Sequence, residues 1–517
     1  MKVHTRCLIA IVLVGAPSVV AQSTAPQIGA VTRSHVERFS TPQMRAEQTE
    51  VEASAKLAAN PRDAGALNAR ALARMRLNRY QESYEDLRQV VTLEPTNSEY
   101  QANLGYVLWK LGRPAEAIAA ERAAIKLDDK NYTAHYQLGR FLLRLGEQKE
   151  LTEAARQLRR ALEIDPRQYE TRFELVAAYR ALGNTELALG QYQLLQDARP
   201  LDPRVTYIGA LLSADRGDMK TAISGFQEAL RRDSSLVGAW QDLGLAYIKL
   251  NRWSEAAETF AELTKLQPAS ADAAYFYALA LFNSGQSTAA EKEARRSLRL
   301  NAGDASSLTL LGIVLAARGD ANNEASEALA QAVALTPASF DANFYLGRVA
   351  YTLKDYATAV QSLRAALKLN PQHAEARFFL GTALEAAGDS QAALVEYQKL
   401  IEIDPKSAMG QIGLGALLVK QGRTDEAISA LKRATSLEAK SFEAHWALGR
   451  ALNLAERFTD AVESLQTAVA LAPDRPDAHY QLGLALKRLG RAAEANREFA
   501  IVDRLNTEFR TNRPAKQ

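Results

Sequence analysis

Along most of the chain, apolar residues recur at three- and four-residue intervals, in short runs broken by glycine or proline. That spacing predicts amphipathic helices, each with one packed face. A typical stretch carries Trp240, Leu243, Gly244 and Tyr247, then Ala256, Phe260 and Leu263, which reads as two helices joined by a short turn. The stretch is not unique. "TAHYQLGRFLLRLG" at 133–146, "EAHWALGRALNLAE" at 443–456 and "DAHYQLGLALKRLG" at 477–490 are variants of one phrase. In phase, they define thirteen repeats over 64–509, starting at 64, 98, 132, 169, 203, 237, 271, 305, 340, 374, 408, 442 and 476. The period is 34 residues, except that repeat 3 is longer by three and repeat 8 by one. A period of this length indicates stacked helical units instead of several globular domains.

Numbering each repeat from its first residue exposes the constraints. Position 8 is glycine in nine repeats, alanine in three (Ala71, Ala210, Ala278) and otherwise Val176. Position 20 is alanine everywhere but Ser83. Small residues at 8 and 20 let two helix backbones approach closely, at the cost of the ~1 kcal/mol by which a helical glycine falls short of alanine. Glycine at position 15, in nine repeats, is placed to end helix A in a left-handed turn. Proline at position 32, in eight repeats, is placed to stop helix B. The extra residues, Glu147 to Thr152 in repeat 3 and Asp320 to Asn323 in repeat 8, are expected in the turns between A and B. The last repeat has Asn496 and Asp503 at outer positions that are apolar elsewhere, as a terminal unit without a successor requires.

These phrases and positions resemble the tetratricopeptide repeat (TPR) family across about nine-tenths of the chain beyond its first 21 residues. The resemblance implies an all-α fold, a right-handed α-solenoid superhelix of about thirteen TPR helix pairs, with helix A lining a concave groove. It does not extend to the lysine–asparagine clamp by which some members hold chaperone tails. Position 5 is never Lys and position 9 is never Asn.

The ends read differently. Residues 1–21 have Lys2, His4 and Arg6 before an apolar run from Leu8 to Val14, then Val19 and Ala21, the pattern of a cleavable secretory signal. Residues 22–63 are expected to form a flexible leader and an N-terminal capping helix, Glu50 to Ala59, and 510–517 a short basic tail. The expected product is therefore exported, periplasmic or alternatively secreted. Its single cysteine, Cys7, lies in the signal. The formal charge of +3, with 24% charged residues, provides no basic footprint for nucleic acid. No segment after the signal is continuous enough to span a bilayer.

No phosphate loop, zinc-protease motif, calcium loop or nucleophile elbow is present. His135, His445 and His479 share position 4 in separate repeats and read as packing residues, not metal ligands. The expectation is a chain without catalytic, cofactor-binding or metal-binding residues. Candidate binding residues lie on the groove side of helix A. Position 5 is aromatic in Tyr136, Phe173, Tyr207, Tyr275, Phe344, Phe378, Trp446 and Tyr480, and position 9 one turn on holds Arg140, Arg348 and Arg450. A ring beside a guanidinium can grip an extended peptide through stacking area and charge-assisted bonds, although the same rings can also pack between repeats. The expected partner is a protein or extended peptide. The alternative is a carbohydrate or exopolysaccharide stacked on the aromatic row.

Overall fold

In a computed structural model of the chain, residues 41–511 are described, and every regular element among them is an α-helix. Helix α1 (Pro42–Ala59) comes first. Thirteen pairs follow, from α2 (Ala64–Arg76) with α3 (Tyr80–Leu93) to α26 (Pro476–Arg488) with α27 (Ala492–Thr511). The described residues fall into two compact bodies, the first ending at Leu266 and the second starting at Gln267. Inside each body, helix A packs on its own helix B, and helix B on the next helix A. Successive A helices also touch directly in most cases, whereas successive B helices make no comparable contact among the described residues. The A layer is thus drawn together, and the B layer is splayed on the outside.

Local chemistry sets the helix ends. Asp63, Asn131, Ser270 and Ser339 cap A helices by accepting a backbone N–H from the first turn. His373 does the same through Nδ1, which accepts from the Ala376 N–H at 3.1 Å. Position 15 is left-handed in all thirteen repeats. Nine of these residues are the expected glycines, and the other four are Asn78, Asn251, Lys354 and Glu456, with φ of 61°, 56°, 64° and 58°.

The core is built on positions 8 and 20. All twelve position-20 alanines are no more than 1% exposed. In repeat 1 the Ser83 hydroxyl donates to the Ala71 carbonyl at 2.9 Å. A Cβ on Gly139 would lie 2.6 Å from Leu158 Cγ and 3.2 Å from the Ala154 carbonyl oxygen. The glycine therefore makes room chiefly for the large side chain at position 24, and secondarily for the alanine backbone.

In seven repeats position 4 proves to be a latch. His135, His445 and His479 each bring Nε2 to a carbonyl six residues back, at 3.0, 3.1 and 3.0 Å. Arg172, Trp240, Asn343 and Arg377 donate to the corresponding carbonyls of Pro166, Ser234, Pro337 and Pro371. Some also reach helix B: His135 meets Gln157 at 2.6 Å and Arg172 donates to Gln191 at 2.9 Å. Where position 4 is Thr206 or Ala274, Arg232 or Arg296 of helix B donates to the loop carbonyl of Pro200 or Pro268 instead. Among the described residues, no three His, Cys, Asp or Glu side chains are grouped to hold a metal ion.

Two expectations need correction. The three additional residues of repeat 3 do not widen its turn. They lengthen helix B, Gln148–Ile164, to 17 residues against 14 in the other repeats except the last, because three residues add nearly one helical turn and Leu151 stays buried. In repeat 8 the extra residue does fall in the turn, between Gly319 and Asn322. The N-terminal helix begins at Pro42, not Glu50: Thr41 Oγ1 accepts from the Met44 N–H at 3.2 Å, and Ala46 is fully buried. Glu50 then pairs with Arg74 and Arg79 at 3.0 and 2.6 Å, tying α1 to the first repeat. At the other end α27 runs through Thr511, and the rest of the basic tail lies outside the described residues, as do the signal and most of the leader. Asn496 and Asp503 are exposed on the last helix.

Candidate binding surface on the helix A layer

The aromatic–arginine pairs assemble as helix geometry requires. Guanidinium carbons lie 5.2 Å from the Tyr136 ring for Arg140, 5.5 Å from Phe344 for Arg348, and 5.6 Å from Trp446 for Arg450. The rings differ in what they are free to do. Phe173 and Phe344 are 8% and 4% exposed and belong to the cores. Phe344 stacks on Phe340 at 5.7 Å, and Phe173 lies under Arg204 at 4.4 Å. Tyr207 is half-buried, with its hydroxyl donating to Asp242 Oδ2 at 2.5 Å. Phe378 is half-buried between Phe379 and Tyr397. Tyr136 stacks on Tyr132 at 5.8 Å, and desolvation pushes its hydroxyl pKa up to about 12. Tyr275 is raised to about 12 by the same cause. Trp446 is half-buried, its Nε1 without a hydrogen-bond partner, and Tyr480 is 48% exposed.

Several charged groups on this layer join one repeat to the next. Arg140 bonds Glu174 at 3.1 Å, and Arg180 grips Asp215 through two bonds of 2.6 and 3.1 Å. Arg348 approaches Glu375 at 3.5 Å, and Lys420 meets Glu385 at 2.5 Å. Asn103 Nδ2 donates to Asn68 Oδ1 at 3.1 Å. Burial pushes the Asp242 carboxyl above its ordinary range, which suits its short bond from Tyr207. Arg450 has no carboxylate partner among the described residues. The surface therefore combines inter-repeat ties with groups that have no charged partner among the described residues.

Attention to positions 5 and 9 missed a site nearer the N-terminus. A pocket of about 190 Å³ opens in repeats 2 and 3, lined by Tyr106, Trp109, Lys110, Arg140, Phe141 and Arg144. Trp109 and Phe141 stack at 4.4 Å, 4° from parallel, and form its apolar wall. Lys110 lies 5.6 Å from the Tyr106 ring. The signal was present at position 13, where Arg76, Lys110 and Arg144 follow one another at intervals of 34.

The sequence pattern of the tetratricopeptide repeat matches overlapping stretches, 68–132, 102–169, 147–203, 173–236, 242–305, 309–366, 355–408, 412–476 and 455–501, which together span most of the chain. The chain belongs to the tetratricopeptide repeat family. Among curated relatives, DnaJ homolog subfamily C member 7 of Homo sapiens is 24% identical over 201 residues, covering 37% of this chain and 40% of that protein. Its Mus musculus counterpart is 28% identical over 109 residues, covering 21% and 22%. This TPR chain thus spans less than half the length of the curated relatives it matches. Among solved structures, the APC/C hetero-tetramer Cut9-Hcn1 is similar at 15% identity and a TM-score of 0.46, over 88% of this chain and 95% of that one. The crystal structure of MamA matches at 23% identity and a TM-score of 0.29, over 32% and 97%. The family matches are repeats throughout, and no helix among the described residues is long and apolar enough to cross a membrane.

Proposed function

We propose that this chain is a non-enzymatic, exported TPR scaffold that mediates protein–protein interaction through the open face of its helix A layer. The observation that carries the reading is the presence of uncommitted recognition groups on that face. Arg450 sits over Trp446 without a carboxylate, and Tyr480 presents a ring that is 48% exposed. Aromatic and arginine side chains are the usual anchors of protein interfaces. The protein partner is favoured over a carbohydrate because sugar sites commonly pair rings with carboxylates or amides, while Trp446, like Tyr136 and Phe344, is paired with a guanidinium group. Export, to the periplasm in a cell with two membranes, rests on the signal-like residues 1–21.

The test is a photoreactive residue placed at Tyr480 or at Leu194, which is 46% exposed on a B helix. Crosslinked envelope proteins concentrated at Tyr480 support the scaffold; equal capture at both positions overturns its use of the A face. Binding on a glycan array without protein capture transfers the function to the carbohydrate alternative. Cell fractionation with N-terminal sequencing reads export, with a mature chain beginning at Gln22 as the expected result.

A further inference from the structure

The surface of repeats 1 to 3 narrows the partner's chemistry. Arg76, Lys110 and Arg144 each lie in the last turn of helix A of their own repeat, and all three are exposed. Basic residues suit a helix C-terminus, but that preference does not account for what surrounds these three. None has a carboxylate partner among the described residues, although most other cations on the A layer of this body do. Lys110 is held only over two rings, 5.9 Å from Tyr80 and 5.6 Å from Tyr106. Lys110 and Arg144 both border the pocket walled by the Trp109–Phe141 stack. Arg140, the pocket's third cation, already holds Glu174. The result is a ladder of unneutralised cations, one per repeat, with an aromatic pocket between the second and third rungs.

We propose that this ladder binds an acidic, extended segment of a partner protein, with a carboxylate on each rung and an apolar side chain in the pocket. The inference deepens the scaffold reading and rests on it. Packed helices lie ~8–10 Å apart, and extended chain advances ~3.3 Å per residue. Successive rungs therefore match carboxylates about three residues apart. The paired amides of Asn68 and Asn103, on the same face of repeats 1 and 2, retain hydrogen-bonding capacity for a peptide backbone. This ladder occupies position 13, away from the positions of the chaperone-tail clamp.

Fluorescence anisotropy on the full chain tests the inference. The probe is a labelled peptide of about twelve residues, with aspartate at every third position and alanine or leucine between. Arg76→Gln, Lys110→Gln and Arg144→Gln are exposed changes whose folding is checked by circular dichroism. Each is expected to weaken binding about three- to fivefold, and the triple variant roughly fiftyfold. Binding should weaken steeply with added salt. Unchanged affinity in the triple variant, or equal affinity for a peptide with aspartate at every second position, overturns the ladder. Tighter binding of a uronic-acid oligomer overturns the peptide assignment in favour of an anionic polysaccharide. If the peptide does not bind while Tyr480 still crosslinks proteins, this inference fails and the scaffold stands; if both fail, the scaffold reading falls with it.

Discussion

Arg140 Nε donates to Glu174 Oε1 at 3.1 Å, joining the A helices of repeats 3 and 4 across 34 residues of sequence. The same guanidinium lies over Tyr136, so one side chain serves its own repeat and the next. With the Glu174 side chain only 8% exposed, the pair is screened by protein more than by solvent. Stability in stacked repeats resides largely in such interfaces between neighbours.

Removing the arginine should leave a shielded carboxylate without its partner. Arg140→Ala is expected to cost about 1–3 kcal/mol, read by chemical denaturation. Arg140→Ala combined with Glu174→Ala should cost less than the sum of the two single changes. Strict additivity would show that the pair is independent of its geometry.

Glu121 offers a stabilising change. It is fully buried at position 24 of repeat 2, neither carboxylate oxygen has a partner, and a Cβ on Gly105 would sit 2.6 Å from Oε1. Leucine fills the equivalent place opposite Gly139. Burial raises the Glu121 pKa well above the ordinary range, so the folded state holds its proton more tightly than the unfolded chain does. Its stabilising contribution is complete below the unfolded value of ~4.3 and is lost as pH rises through the raised folded value. Glu121→Leu should therefore stabilise the chain at pH ~7 by about 1–3 kcal/mol, with the gain shrinking toward pH ~4. Melting curves of both proteins across that range decide it; a gain independent of pH would refute the titration argument.

Lys354 and Glu456 hold left-handed φ of 64° and 58° where most repeats use glycine. A side chain pays ~1–2 kcal/mol for that conformation, partly offset by glycine's greater freedom when unfolded. Lys354→Gly and Glu456→Gly should each raise stability by about 0.5–1 kcal/mol. Denaturation midpoints would reveal it, and a loss in both would indicate that the side chains make compensating contacts.

The aromatic row should divide by exposure. Phe344→Ala empties a core site that is 4% exposed and should cost about 3–5 kcal/mol. Tyr480→Ala, at a ring 48% exposed, should leave the melting temperature nearly unchanged while weakening partner binding. Melting temperature and affinity measured on both variants separate packing from recognition.

The helical architecture was legible because its constraints fall on single residue types at fixed intervals. Only a small residue fits at Ala256 or Ala359, both fully buried, and proline at positions such as Pro268 cannot continue a helix. Less legible was the use of the side chains. Tyr207 and Tyr480 occupy the same position, yet one bonds Asp242 and the other remains open, because that choice depends on the neighbouring repeat. The added residues of repeat 3 looked like loop growth, but their apolar phase kept Leu151 inward and extended the helix. Ion pairs such as Arg180–Asp215 were hidden because their partners lie 35 residues apart, one step beyond the repeat period.

The position-4 latch has a consequence for how such an array changes over time. Histidine, arginine, tryptophan and asparagine all reach the same loop carbonyl, and Arg232 or Arg296 arrives from helix B when position 4 has no long donor. What these nine joints share is a proton donor at one place in space, whatever residue carries it. Letters at position 4 can drift without disturbing the articulation, so copies of a repeat can diverge in sequence, duplicate and be spliced together while their joints remain interchangeable.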